Sequence, residues 1–152
     1  MNKQIPLFKT KLYEQDLPSV ASVLERETFW AIGPEIEEFE RDLANYLGVK
    51  YCLVFNSGTS AGHALMECLE VRDREIIVPS FSFIATANVV KMAGGIPIFA
   101  DIEKENLGIS PFSIESVITS NTKAIMPMHY GGSYCNIKKI KEICDKNSIH
   151  LI

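Results

Sequence analysis

Three short stretches carry side chains whose types and spacing suit chemistry. The first is Asn56-Ser57-Gly58-Thr59-Ser60, set between the apolar run Tyr51–Phe55 and a segment of helical spacing that starts at Ala61. At the start of a helix, unpaired N–H groups and the helix dipole favour an anion. Gly58 lets backbone approach a ligand closely, and the hydroxyls of Ser57, Thr59 and Ser60 add hydrogen-bonding groups. Two readings fit these residues: a phosphate cradle, or a cap made by Ser57 or Thr59. The loop is neither Gly-x-Gly-x-x-Gly nor a P-loop with its Lys, which weakens dinucleotide and nucleoside-triphosphate readings.

The second stretch, "FSFIATAN", places Phe81 and Phe83 after the apolar run "EIIVPS". A ring there suits stacking on a flat cofactor, although aromatic side chains also fill cores. The third, "PMHYGG", brings His129, Tyr130 and two glycines to the end of another apolar run. His129 reads either as a substrate contact or as an oriented structural histidine. No metal site is expected, because Cys52, Cys68, Cys135 and Cys144 form no Cys-x-x-Cys pair and meet no His at zinc spacing. Cys52 and Cys68 sit in apolar contexts and read as small hydrophobes, so four reduced thiols are expected.

The elements that must position these loops alternate. Ile36, Phe39, Leu43, Tyr46 and Leu47 mark one face of a helix that starts at Gly33-Pro34, is acidic in its first turn, and ends at Gly48. "YCLVF" predicts a strand buried on both faces, and Ala61, Ala64, Leu65, Cys68 and Leu69 return to helical spacing. Strands are predicted near 51–55, 76–79, 96–99, 123–127 and 149–152. Helices are predicted over "FIATANVVKMAG" and over "NIKKIKEICDKN", the latter with Ile137, Ile140, Ile143 and Cys144 inward. Asp101 to Pro111 is the longest loop-like stretch. Such alternation predicts an α/β fold, a mostly parallel sheet with helices on both faces. Ligands of such sheets bind at the carboxyl ends of the strands, where all three loops fall.

Charge and composition narrow the classes. A net charge of −4, from 15 basic and 19 acidic residues, disfavours nucleic acid as a partner. Glu14 to Lys50 holds nine acids and three bases, while Lys123 to Ile152 holds five bases and two acids, which reads as two solvated surfaces. The start "MNKQIPLFKTKLYEQDLPS" has no apolar core of a secretory signal, and no run reaches the ~20 apolar residues of a membrane span. A cytoplasmic protein without membrane or nucleic-acid partners is expected.

"GPEIEEFERDLANYLGVKYCLVFNSGTSAGHALM", "IIVPSFSFIATANVV", "GGIPIFADIE" and "TKAIMPMHYGG" together resemble successive signatures of the DegT-like (DegT/DnrJ/StrS type) sugar aminotransferases. That family consists of pyridoxal-phosphate enzymes of the aspartate-aminotransferase (type I) fold that aminate nucleotide-linked keto sugars. The resemblance runs from about Ile5 to Ile152. It implies that this chain is the first part of the large cofactor-binding domain, with residues 1–33 as an amino-terminal helical arm and loop. It implies that Gly58, Thr59 and Ser60 hold the cofactor phosphate and that Phe83 stacks on the pyridine ring. Asn88 matches a recurrent family Asn without a catalytic role. Trp30, in the Phe29–Gly33 loop, and His129 are implied near substrate or a subunit interface. A homodimer with a nucleotide sugar and an amino-acid donor as substrates follows from the same resemblance.

The chemistry also needs a Schiff-base Lys and a carboxylate on the pyridine nitrogen. Both are expected beyond Ile152, since Lys91, Lys123, Lys138, Lys139 and Lys141 stand in other contexts. No catalytic residue is therefore assigned within the chain, and the chain alone is expected to be inactive. The alternatives are a non-catalytic binding or assembly module of the same fold, and a nucleotide-binding Rossmann-like domain.

Overall fold

The computed structural model describes residues 5–6 and 8–152. The chain divides into two compact units, Met1–Val54 and Phe55–Ile152. Of the expected amino-terminal arm, residues 1–4 and 7 lie outside the described residues. So does that part of the signal-peptide reading.

The first unit holds α1 (Asp16–Glu25) and α2 (Pro34–Leu47). Helix α2 begins and ends as its sequence dictates. Pro34 fills the first turn with Glu35 and Glu37 beside it, and Gly48 closes the helix in the left-handed region, φ 67°. Of the apolar face read from the sequence, Leu43 is half-buried, whereas Ile36, Phe39, Tyr46 and Leu47 are exposed. Between the helices Arg26 organises the turn. Its guanidinium donates to the carbonyls of Thr28 and Phe29, both at 3.1 Å, and grips the Glu35 carboxylate at 2.6 and 3.1 Å.

The Arg26 hydrogen bonds hold the Glu35 carboxyl below its ordinary pKa. A depressed folded-state pKa stabilises the turn above the unfolded value, and this stabilisation is lost as pH falls through the lowered value. Trp30, the single tryptophan, lies inside the turn. Its emission is therefore expected to change on acidification below the usual glutamate range, and Glu35→Gln is expected to remove that step. An unchanged acid titration in the variant would disprove the coupling.

The second unit contains α3 (Gly58–Cys68), β1 (Glu75–Pro79), α4 (Ala85–Met92), β2 (Ile96–Ala100), α5 (Pro111–Val117), β3 (Thr122–Ile125), a 3-10 turn at Tyr130–Gly132, α6 (Ile137–Asn147) and β4 (His150–Leu151). The strands stand in the order β2-β1-β3-β4, and every pairing is parallel. Alternation along the strands divides the core into two layers. Ile76, Val78 and Ala124 pack with Met66 of α3 and with Ala87, Val89 and Val90 of α4. Ile77 and Ile125 point the other way, to Ile114 of α5 and to Ile140, Ile143 and Cys144 of α6. Pro97 lies in β2, an edge strand of this sheet, where a missing N–H is tolerated. The sheet with helices on both faces is the predicted architecture. No helix among the described residues is long and apolar enough to cross a membrane.

Three expectations are corrected. Tyr51–Phe55 forms no strand, and Tyr51, Leu53 and Phe55 are exposed rather than buried on both faces. A strand needs a neighbouring ladder, and none of the four strands in the sheet pairs with this run. Helix α3 is turned relative to its expected inner face. Met66 is its buried residue, Gly62 approaches Val89, and Cys68 is exposed. Finally, the stretch expected to be a loop from Asp101 contains an antiparallel bridge, Ile102 to Ile109, and leads into α5, which the sequence reading omitted.

Candidate functional site

The direction of chain winding creates the site. From β1 the chain crosses through α4 to β2 on one side, while β3 lies against the other side of β1. Where the winding reverses, the loops leaving the carboxyl ends of β1 and β3 diverge and leave a crevice. A cavity of about 410 Å³ lies there, lined by Gly58, Thr59, Gly62, Phe83, Ala85, Thr86, Val89 and Met126.

The amino terminus of α3 forms one wall. Ser57 caps the helix: its Oγ accepts from the Ser60 N–H at 3.1 Å and lies 3.0 Å from the Ser60 hydroxyl. Its carbonyl accepts from the Ala61 N–H at 3.1 Å. The cap therefore uses the N–H of Ser60, and among the described residues nothing accepts from the N–H groups of Gly58 or Thr59. The cap and cradle readings thus coexist in one turn, on different donors. A Cβ added at Gly58 would meet no atom within 4 Å, so space remains in front of the turn.

Phe83 forms a second wall, on the loop between β1 and α4. Three-quarters of its surface is exposed, and its ring borders the same cavity as Gly58 and Thr59. Phe81 does something else: it pairs with Tyr130 at 4.7 Å between ring centroids. Ser82 steadies this loop through Thr86, at 2.7 Å between hydroxyls, and donates to the Met128 sulfur at 3.3 Å. The remaining lining residues, Thr86 and Met126 among them, were not singled out from the sequence. Thr86 follows Phe83 by three positions, and only the β1–β3 pairing brings Met126 to the same place.

The other sequence candidates lie apart from the cavity lining. Ser60 is half-buried and engaged in the cap. His129 is exposed, with Nδ1 turned to Cys135. Asn88 is exposed on α4. Trp30 belongs to the other unit and is exposed. Among the described residues of this unit no lysine lines the cavity, and among the described residues no group of three or more His, Cys, Asp or Glu side chains is placed to hold a metal. All four cysteines are free thiols, and burial pushes the pKa of Cys135 and Cys144 up.

The donor set fits a phosphorylated planar ring. Two unpaired backbone N–H groups and a free hydroxyl suit a phosphate, and an apolar wall with an aromatic face suits the ring. A model of the DegT/DnrJ/EryC1/StrS aminotransferase family matches residues 10–152. GDP-perosamine synthase of Vibrio cholerae is 31% identical over 149 residues, 97% of this chain and 41% of that protein. Helicobacter pylori PseC, an aminotransferase involved in the biosynthesis of pseudoaminic acid, superposes with a TM-score of 0.89 at 32% identity, covering 98% of this chain and 40% of that one. NtdA of Bacillus subtilis, solved with bound cofactor PMP, gives 0.81 at 34% identity, covering 89% and 31%. The chain spans about two fifths of the length of the curated relatives it matches. Its sheet is that of the type I pyridoxal-phosphate fold, as the resemblance implied.

Proposed function

We infer the function from one premise: the chain belongs to the DegT/DnrJ/EryC1/StrS aminotransferase family. The family uses pyridoxal phosphate. We propose that this chain supplies the phosphate-and-ring half of such a site. The whole protein would transfer an amino group from an amino acid to a nucleotide-linked keto sugar, consistent with relatives such as GDP-perosamine synthase. The observation that carries the reading is the pair of unpaired N–H groups at Gly58 and Thr59, which open on the same cavity as Phe83.

In this reading the cofactor, when bound, supplies an electron sink for moving an amino group. The N–H groups of Gly58 and Thr59 and the Thr59 hydroxyl hold the phosphate, while Ser60 stays engaged in the Ser57 cap that shapes the turn. Phe83 covers one ring face, and Val89 and Met126 exclude water from the apolar wall. Residues beyond Ile152 would supply the lysine and the carboxylate. Membership of the family, with the missing glycine fingerprint, argues against the Rossmann-like alternative.

Phe83→Ala tests the stacking part. Loss of the ring is expected to weaken pyridoxal-phosphate binding by about 1 kcal/mol, roughly five-fold. Calorimetric titration giving an unchanged affinity would remove Phe83 from the site. The assembly is proposed to be a two-fold homodimer in the cytoplasm, with the exposed Phe29, Trp30 and Ile32 in its interface. Sedimentation equilibrium of the full-length protein at micromolar concentration is expected to give the dimer mass, with Trp30 emission shifted to the blue relative to this chain. A monomer would defeat the assembly, and an unshifted Trp30 would defeat the loop assignment.

A further inference from the structure

His129 leaves the carboxyl end of β3 with an exposed side chain, yet its ring is held from several sides. The 3-10 turn that follows contains Gly131 and Gly132, both at positive φ (57° and 85°), and returns the chain toward the histidine. Cys135 then stands with its main-chain N–H donating to Nδ1 of His129 at 3.3 Å, and with its Sγ also 3.3 Å from that atom. Tyr134 meets the ring edge-on, at 5.3 Å between centroids. Among the described residues no hydrogen bond is formed at Nε2.

A main-chain N–H can only donate, so the Nδ1 it faces must accept, and in neutral imidazole the proton then sits on Nε2. The thiol acts in the same direction. Burial raises its pKa, so it keeps its hydrogen and can donate to Nδ1 as well. The position of Cys135 is fixed in turn by Gly108. A Cβ there would lie 2.5 Å from the Cys135 Cβ and 2.8 Å from its Cα, so only glycine lets the two segments approach. Gly108 is itself tied down, its N–H donating to Asn106 at 2.7 Å and its carbonyl accepting from Glu103 at 2.8 Å.

We propose that Cys135, seated by Gly108, is a positioning residue that locks His129 as the Nε2–H tautomer, leaving at the carboxyl end of β3 a hydrogen-bond donor for an acceptor oxygen of a ligand that extends beyond the cavity lining. The inference rests on the aminotransferase reading only for what the donor meets. The tautomer itself is read without cofactor or substrate, so failure of one leaves the other standing.

The test is a long-range proton–nitrogen correlation spectrum of the chain labelled at its three histidines, recorded where imidazole is neutral. His129→Gln assigns the resonance by its disappearance. The expected pattern is an unprotonated, pyridine-like Nδ1 and a protonated Nε2. A protonated Nδ1 overturns the proposal. Gly108→Ala, which must displace Cys135, is expected to mix the two tautomers and draw the nitrogen shifts together. Cys135→Ala, which keeps the main-chain donor, is expected to move them less, in the same direction. Should Gly108→Ala fail to fold, Cys135→Ala alone decides. Unchanged shifts in the variants that fold overturn the role of Cys135.

Discussion

Mixed with one equivalent of pyridoxal phosphate and treated with borohydride, the 152-residue chain is expected to keep its mass and to aminate no keto sugar. Covalent capture needs a lysine amine at the ring carbonyl, and the same amine must then move the proton during transfer. Among the described residues of the second unit no lysine lines the cavity. Lys123 lies in β3 and its Nζ donates to the Glu70 carbonyl at 3.4 Å, next to the amino end of β1. Lys139 and Lys141 pair with Glu142 and Asp145 on α6, and Lys91 is exposed on α4. What remains is reversible binding through the N–H groups of Gly58 and Thr59 and the face of Phe83. A single one-to-one adduct by mass spectrometry, with turnover of amino donor and keto sugar, would show that this chain uses a lysine not assigned here.

The centre of the sheet was legible because β1 buries apolar side chains on both faces. Ile76, Ile77 and Val78 form a continuous apolar run with no polar alternation, and all three are fully buried. The same signal misled at Tyr51–Phe55. An apolar run records what a segment would gain by burial and says nothing about which neighbour supplies the ladder; here Tyr51 and Leu53 remain about three-quarters exposed. Helix α5 escaped notice for a different reason. Its seven residues are too few to display a period, although Ser110 capping Ser113 and Pro111 in the first turn are start signals that a local reading could use.

The site divides in the same way. Gly58, Thr59 and Phe83 were readable because each follows or precedes an element whose end could be placed, and the structure brings them to one cavity. Residue type alone did not separate Phe83 from Phe81, two residues away, because both are aromatic and flank the same strand end; the family resemblance chose Phe83. In the structure the Tyr130 ring takes Phe81 as its partner and becomes its neighbour only through the β1–β3 pairing. Met126 and Val89 carry no polar atom and join the site purely by position. The cap and the cradle at Ser57–Ser60 likewise could not be told apart by residue type, since the answer depends on which N–H each hydroxyl takes.

Gly58→Pro is expected to weaken pyridoxal-phosphate binding to the chain about ten- to a hundred-fold while leaving the fold intact. Gly58 is the first residue of α3, where proline is well tolerated because that N–H has no partner within the helix. Ser57 already has the extended backbone that the residue before a proline requires, φ −159° and ψ 154°. Open space around the Gly58 Cβ position leaves room for the ring. The substitution removes one donor and puts a methylene where its hydrogen stood. A hydrogen bond to a charged acceptor contributes about 1.5–3 kcal/mol, which gives the fold-change above. Gly58→Ala retains the N–H and is expected to bind nearly as wild type. Ser57→Ala removes the Ser60 cap and is expected to cost about 1 kcal/mol of stability with a smaller effect on affinity. Titration calorimetry at fixed salt, with thermal melts of all three variants, reads both quantities. If Gly58→Pro binds as tightly as wild type, the free N–H groups mark only the end of a helix, and the phosphate must be held elsewhere.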